Sequence, residues 1–299
     1  MKISGFTYIR NGFNYGYPFI PSIQSILPVV DELVVVVGDS TDGTREAIEN
    51  LKENKIKIID TIWDDQLRTG GKIFAEQANL GLRNISGDWA FHLQADEVIH
   101  EDTLERLAYQ IKQADNNREA EGLLFPFLHF WGDYYHIRNT RRTHKYEIRA
   151  FRNTGHIFSY KDSQGFRKYQ SKATFDDGEK GTKLKVIKLD IPVYHYSYAR
   201  NPNLMAKKSN YFHRFWHGDQ WLKENTTEKL FDFNEVDKLE IFQGRHPQCM
   251  NDFIAQKDWD FVYDKSKSDM NFKDKILNSL EKTFNHRFFE YQNYKLLKS

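Results

Sequence analysis

Gln94-Ala95-Asp96-Glu97 follows directly on a mostly apolar run, Trp89 to Leu93. A run of that length with aromatics reads as a buried strand, so two carboxylates stand on the lip of a strand. In open α/β sheets ligands bind just beyond the carboxyl ends of strands. Hard divalent cations take oxygen ligands, and a pair of phosphates takes a hard cation. Asp96 is therefore placed to hold a metal against a diphosphate. The bland alternative is that Asp96 or Glu97 starts the next helix, where acids are favoured. Asp102-Thr103-Leu104-Glu105 is the better helix start, a capping box, and apolar Ile99 still lies before it.

Three further groups have types and spacing that suit chemistry. Gly38-Asp39-Ser40-Thr41-Asp42-Gly43-Thr44 joins a strand to a helix. Small residues there let a ligand approach the backbone, and Asp39 and Asp42 are placed to accept hydrogen bonds from a base or ribose. An ordinary strand–turn–helix connection uses the same residue types. His195, between Tyr194 and Tyr196, offers an imidazole acceptable to manganese-type ions. Its alternative is a core histidine bonded between two tyrosines. The basic run Arg138, Arg141, Arg142, His144, Lys145, Arg149, Arg152 offers guanidinium forks that match phosphate oxygens, or else a solvated surface. Two lookalikes fail. Arg68-Thr69-Gly70-Gly71-Lys72-Ile73 has the wrong glycine spacing for a phosphate loop, with no Ser or Thr after Lys72. His213-Arg214-Phe215-Trp216-His217 lacks the glutamate of a zinc protease helix.

The elements that must position these groups follow from periodicity. Ile3 to Ile9 reads as a strand ending in the turn Arg10-Asn11-Gly12. Pro18 to Leu27 is apolar at helical spacing. Leu33 to Val37 is an unbroken run suited to a parallel strand covered on both faces. A helix from Arg45 to about Glu53, a strand Lys55 to Asp60 and a helix from about Gly71 to Arg83 come next, before the strand that delivers Asp96. This alternation predicts a doubly wound, mostly parallel α/β sheet with flanking helices. Gly122 to Phe130 reads as a strand in which Pro126 hints at an edge or bulge. Tyr146 to Phe151 is a further strand, Asp162 to Lys183 a polar loop, and Leu184 to Tyr194 one strand entering Tyr194-His195-Tyr196. From Asn203 the pattern is helical and aromatic-rich, which places a boundary near residue 200: domain 1–200, then a mostly helical extension over 201–299 packed on it. Phe272 to Leu297 reads as an amphipathic helix on the body. Its minority alternative is a peripheral membrane contact, diluted by Glu281 and Glu290.

Composition narrows the classes. Lys plus Arg total 43 against 42 Asp plus Glu in 299 residues, so no global field draws nucleic acid or an anionic membrane. The one cysteine, Cys249, cannot form an internal disulfide and fits a reducing cytosol. The N-terminus lacks the apolar core of a signal peptide, and no run approaches the roughly 20 apolar residues of a membrane span. The expected location is cytoplasmic, with the inner face of the membrane left open and the oligomeric state unassigned.

Val34 to Thr44, Gly71-Lys72-Ile73-Phe74-Ala75-Glu76-Gln77-Ala78-Asn79-Leu80-Gly81 and Gly87 to Glu97 together resemble the family 2 glycosyltransferases with the GT-A fold, over roughly residues 1–200. The likeness is to the branch that includes lipopolysaccharide-core sugar transferases. Tyr-His-Tyr around His195, followed by Arg200, Met205 and Lys207, and Phe242-Gln243-Gly244-Arg245-His246-Pro247 also resemble that branch. The resemblance implies inverting transfer of a sugar from a nucleotide-diphosphate donor to a saccharide or glycolipid acceptor, in glycan or cell-surface polysaccharide synthesis. It implies a divalent cation, manganese or magnesium, on Asp96 and His195. It implies a base-binding crevice near Thr7, Asn11 and Asp39. Asp42, Lys72 and Gln94 are further candidates for binding substrate, and Arg149 or Arg152 for stabilising the leaving diphosphate. Two departures stand out. Gln94 replaces the aspartate usual at that point of the metal motif, and a neutral amide is a weaker ligand for a hard cation. Val37-Gly38-Asp39-Ser40 stands where the family has Asp-Asp-Gly-Ser, displacing the base-reading acid by one residue. The catalytic base is expected at Asp162, in Tyr160-Lys161-Asp162-Ser163-Gln164-Gly165, with Glu147 second. Two rivals are a nucleotide-sugar binding module without catalysis, kept alive by Gln94, and a sugar-phosphate nucleotidyltransferase. The latter would need a glycine-rich basic loop where this chain has Arg10-Asn11-Gly12-Phe13.

Overall fold

The computed structural model describes residues 1–64, 67, 70–163, 165–226, 229–284 and 286–297. Arg68, Thr69 and Gln164, named above, lie outside the described residues. The first half alternates as expected: β1 (Ile3–Ile9), α1 (Phe19–Ile26), β2 (Glu32–Val37), α2 (Thr44–Glu49), β3 (Ile56–Asp60), α3 (Lys72–Arg83) and β4 (Trp89–His92). These strands lie in the order β3-β2-β1-β4, all parallel. The valine run explains why. Leu33, Val35 and Val37 enter one core with Ile23 and Ile26 of α1, while Val34 and Val36 enter a second core with Ala78 and Leu82 of α3. A strand covered on both faces has no polar side to show, so its sequence does not alternate.

β5 (Glu97–Ile99), a tight 3-10 turn over Glu101–Thr103 and α4 (Leu104–Asn116) come next. The expected capping box does not form. The His100 ring accepts the Asp102 N–H at 3.2 Å, and α4 begins without a side-chain cap from Thr103. Then follow β6 (Gly122–Trp131), β7 (His136–Ile137), β8 (Tyr146–Arg152), β9 (Ile157–Ser159), β10 (Phe166–Lys168), α5 (Lys172–Asp176), β11 (Thr182–Lys188) and β12 (Val193–Tyr198). The polar stretch 162–183 is thus not all loop; Ser171 and Thr174 close a capping box on α5. β8 runs antiparallel between β4 and β6.

The single strand expected from Leu184 to Tyr194 is two strands, because the chain breaks at Pro192. β11 pairs with the start of β6 and β12 with its end. Pro126 marks that exchange. The Phe127 N–H points toward β8, to the Lys145 carbonyl at 3.1 Å, so the nitrogen of Pro126 faces the other side. On that side β11 has ended opposite Leu124 and β12 starts opposite Phe127, and no ladder donor is required. The bulge itself falls between Leu123 and Leu124.

The remaining elements are α6 (Pro202–His213), α7 (Asp219–Asn225), β13 (Glu240–Ile241), α8 (Asn251–Ala255), α9 (Phe272–Phe284) and β14 (Tyr294–Leu296). The tail helix therefore ends at Phe284 rather than running to Leu297, and β14 adds to the sheet parallel to β11. Among the described residues no helix is long and apolar enough to cross a membrane.

Candidate functional site

Beyond β4 the backbone closes a turn on itself. The Glu97 N–H donates to the Gln94 carbonyl at 3.0 Å, and the Gln94 N–H donates to Glu97 Oε2 at 3.1 Å. β12 lies antiparallel on β5, with His195 opposite Glu97, and the Tyr196 N–H donates to the Asp96 carbonyl at 2.8 Å. Residues distant in sequence thus meet: Asp96 Oδ1 faces His195 Nε2 at 3.6 Å. The other Asp96 oxygen faces Lys208 Nζ at 3.6 Å and Arg200 Nη2 at 3.7 Å. All three come from β12, the turn after it and α6. Burial pushes the Asp96 carboxyl up, but bonding and charge from His195, then Lys208 and Arg200, hold it far below the usual carboxylate range. Burial, and then the charge of Arg200, push Lys208 down to about 7 against the pull of Asp96. Lys208 was not singled out from the sequence. The only signal was a lysine within the aromatic helix after Tyr-His-Tyr, where its ammonium lies 4.9 Å from the Tyr17 ring centre.

The back of His195 decides what its front can do. His195 Nδ1 lies 2.8 Å from His129 Nδ1, and His129 Nε2 lies 2.7 Å from the His144 carbonyl. A carbonyl only accepts, so His129 Nε2 carries a proton. Burial, then the charge of His195, push His129 down to about 3, so its Nδ1 is a bare acceptor. His195 Nδ1 must then be the donor, and Nε2 presents a lone pair to Asp96 unless it takes a second proton. A proton on Nε2, or a metal ion between the two groups, satisfies that arrangement. Oxygen and imidazole donors suit a manganese-type ion, and a ligating histidine ordinarily gives its other N–H to an acceptor behind it. The residues present therefore fit a divalent cation on Asp96 and His195. Gln94 borders the same space with a neutral amide. Elsewhere His100, Glu101 and Asp102 bring three ligand atoms within 4.8 Å of one another at the start of α4, but Asp102 is paired there with Arg245.

A cavity of about 190 Å³ opens at the carboxyl end of β1, beside Asp96, with Trp63 and Tyr211 among its walls. Arg10 borders it, lies 5.5 Å from the Trp63 ring centre, and donates to Asp39 Oδ2 at 2.6 Å. Asn11 adopts φ 52° and its Oδ1 accepts the Thr41 N–H. Asp42 is occupied by the turn itself, accepting from Thr44 Oγ1 at 2.6 Å and from the Asn14 N–H at 2.8 Å. Thr7 is buried in β1, and its hydroxyl meets no partner among the described residues. Asp162 borders the cavity from the opposite side, between Lys161 and Ser163, which both have positive φ. It packs so closely on Gly71 that a Cβ there would come within 2.6 Å of the Asp162 Cβ. Lys72, the first residue of α3, is exposed and borders a different groove with Tyr160.

A second cavity, of about 350 Å³, lies on the other side of Gln94, which borders both. Glu147 and Arg149 project into it from β8. The guanidinium of Arg149 is taken: Nε and Nη2 donate to Glu97 at 2.7 and 2.6 Å, both residues being buried. Arg152 is not brought to the site at all. It stands opposite Trp89 at the start of β4, the end remote from Asp96, and is bound to Asp115 and the carbonyl of Ala120. Burial pushes the Glu147 carboxyl up to about 7 despite the charge of Arg149.

No curated protein matches the chain. Among solved structures it is similar to S. aureus TarS, at 15% identity and a TM-score of 0.42, covering 71% of this chain and 39% of that one. It is also similar to the 1–349 fragment of TarS in complex with UDP-GlcNAc, at 16% identity and a TM-score of 0.41, covering 72% of this chain and 66% of that one. The chain therefore spans less than two thirds of the length of these neighbours. Residues 13–172 match the sequence model of Glycosyl transferase family 2. That match takes in Asp39, Asp96, Glu147 and Asp162 and extends over more than half of the sequence, and the chain belongs to glycosyl transferase family 2.

Proposed function

We propose that this protein transfers a sugar, with inversion, from a nucleotide-diphosphate sugar to a hydroxyl of a saccharide or glycolipid, in glycan or cell-surface polysaccharide synthesis on the cytoplasmic side. The observation that carries the reading is the grouping at Asp96: an oxygen and an imidazole nitrogen that a cation would bridge, beside Lys208 and Arg200, which suit an anion. A diphosphate with a divalent cation answers both demands. The ion, when bound, neutralises charge on the leaving diphosphate.

The chain's own residues do the rest. Trp63 and Tyr211 offer rings to flank a nucleotide base, with Asp39 and Asn11 at the edge of that crevice, while Thr7 and Asp42 support its floor and turn. Lys208 and Arg200 stabilise the negative charge that grows as the glycosidic bond to phosphate breaks. Gln94, on the wall between the two cavities, orients the donor sugar. The second cavity receives the acceptor. Inversion needs a carboxylate on the side away from the leaving group. Glu147 is so placed, and its raised affinity for a proton suits a base near neutral pH. Asp162 is the other carboxylate, on the donor side. Residues 1–200 form the catalytic domain, and the extension over 201–299 lends Lys208 and Tyr211 to it.

A thermal-shift and calorimetric screen against nucleoside diphosphates, with and without manganese, tests the reading. Binding that strengthens with manganese, and that loses this dependence in Asp96→Asn, is expected. Absence of any nucleoside diphosphate binding overturns it. Gln94 favours one rival, a binding protein without turnover; donor binding without hydrolysis or transfer would establish that instead.

A further inference from the structure

Asn293 stands one residue before β14, in a stretch without a recognisable motif. Its Oδ1 accepts from the Tyr160 hydroxyl at 2.7 Å and from Arg167 Nε at 3.1 Å. Arginine only donates, so the amide cannot be turned round, and Nδ2 is fixed as the other atom. Asn293 is 8% exposed, and Nδ2 meets no hydrogen-bond partner among the described residues. A buried amide donor left without an acceptor is costly, and it marks a place where an acceptor belongs.

Gly165 shows which other group lies near that amide. A Cβ added there would lie 2.7 Å from Asn293 Nδ2 and 3.3 Å from Glu147 Oε2. The unpaired donor and the carboxylate therefore both approach the same face of Gly165. Asn293 and Glu147 both border the cavity of about 350 Å³, together with Tyr146, Tyr160 and Tyr294. Tyrosine rings give flat apolar faces with polar rims, which suit the C–H faces and hydroxyls of a pyranose.

We propose that Asn293 Nδ2 and the Glu147 carboxylate form a socket for the attacking hydroxyl of a saccharide acceptor. The inference rests on the sugar-transfer reading above and names its acceptor subsite. Asn293 donates to the hydroxyl oxygen and fixes its position. The hydroxyl donates to Glu147, which takes the proton as the oxygen forms its bond to the anomeric carbon. The bond from that carbon to the phosphate oxygen breaks, and its electron pair leaves on the diphosphate. The segment 291–294 thereby becomes part of the acceptor wall, held in place by the pairing of β14 with β11.

Asn293→Asp is the discriminating variant, because it keeps an oxygen for Tyr160 and Arg167 while replacing the donor by a second oxygen, with Arg167 beside it to pair the added charge. Calorimetry with UDP, GDP and dTDP reads the donor side. Turnover of the corresponding nucleotide-hexoses, onto methyl hexopyranosides and onto water, reads the socket. Turnover is expected to fall roughly tenfold, the scale of one lost hydrogen bond, with a raised KM for the methyl hexopyranoside. Nucleotide affinity should stay within about twofold, and the unfolding midpoint should not drop. Glu147→Gln should lower turnover further, by roughly 10²–10⁴, again with nucleotide affinity kept. Wild-type turnover in Asn293→Asp overturns the socket, and so does a joint loss of turnover and nucleotide affinity. A wild-type protein that binds none of the three nucleotides overturns the sugar-transfer reading instead, so the two failures are distinct.

Discussion

Asp96 is a buried carboxylate and Glu147 a half-buried one, and they are driven in opposite directions. Asp96 is held far below the ordinary range and Glu147 is pushed up to about 7. Desolvation raises both, so burial does not separate them. Company does. Asp96 has a histidine, a lysine and an arginine within 3.7 Å. Glu147 has Arg149 nearby, but that guanidinium is already given at both ends to Glu97. One carboxylate stays ionised and can hold a cation; the other can accept a proton near neutrality and release it again. A pair of titratable groups whose surroundings pull them apart is the usual signature of divided roles.

Several measurements would break or sharpen this contrast. The largest effect is expected at Glu147. Glu147→Gln should cut transfer by roughly 10²–10⁴ while Asp162→Ala, on the donor side, should act mainly through donor affinity. Steady-state kinetics on both variants decides, and the reverse result would move the base to Asp162. Next in size is the histidine relay. His129→Leu removes the acceptor behind His195 and should weaken manganese binding by roughly 10–100-fold, read by calorimetry with the metal alone. His129→Asn keeps an acceptor at the same reach and should restore most of that affinity, which a role in packing alone would not. Similar in scale, Lys208→Met should weaken nucleoside diphosphate binding by roughly tenfold or more, as the loss of a charged hydrogen bond would.

Smaller effects concern pH. If Glu147 is the base, transfer at saturating donor should rise as pH climbs through about 7, and Glu147→Gln should flatten that limb. Arg149, Glu97 and Glu290 are the charged groups that set this value. Stability should show the same group with the opposite sense. The folded pKa lies above the ordinary 4.5, so the penalty is absent below that value and grows to its full size above about 7. Glu147→Gln should therefore raise the unfolding midpoint by a few degrees at pH 8 and leave it unchanged at pH 4. Equal shifts at both values would say that Glu147 is not desolvated.

What the sequence disclosed and withheld follows from the range of the forces involved. β1 to β4 were legible because a strand covered on both faces writes its burial into consecutive residues. Asp96 stood out because it ends such a run, and His195 because two tyrosines frame it. Arg149 was read as a phosphate ligand, yet its partner is Glu97, the acid left without a role beside Asp96; no local pattern announces a bond between strands. Lys208, His129 and Asn293 were missed for the same reason. Each acts through a contact that exists only once distant segments meet, and none sits in a motif. The helix expected over the whole tail failed because a short strand such as β14 carries too few residues to show a period of two.

The ladder between β14 and β11 pairs Leu184, Lys185 and Val186 with Tyr294, Lys295 and Leu296. It is short and it lies at a margin of the sheet. The wall it carries can therefore drift, or be exchanged for a relative's, while the donor crevice between the first strands and α6 stays as it is. An evolving lineage could change which sugar chain it extends without relearning how to hold its nucleotide, and an engineer grafting residues 286–297 could attempt the same.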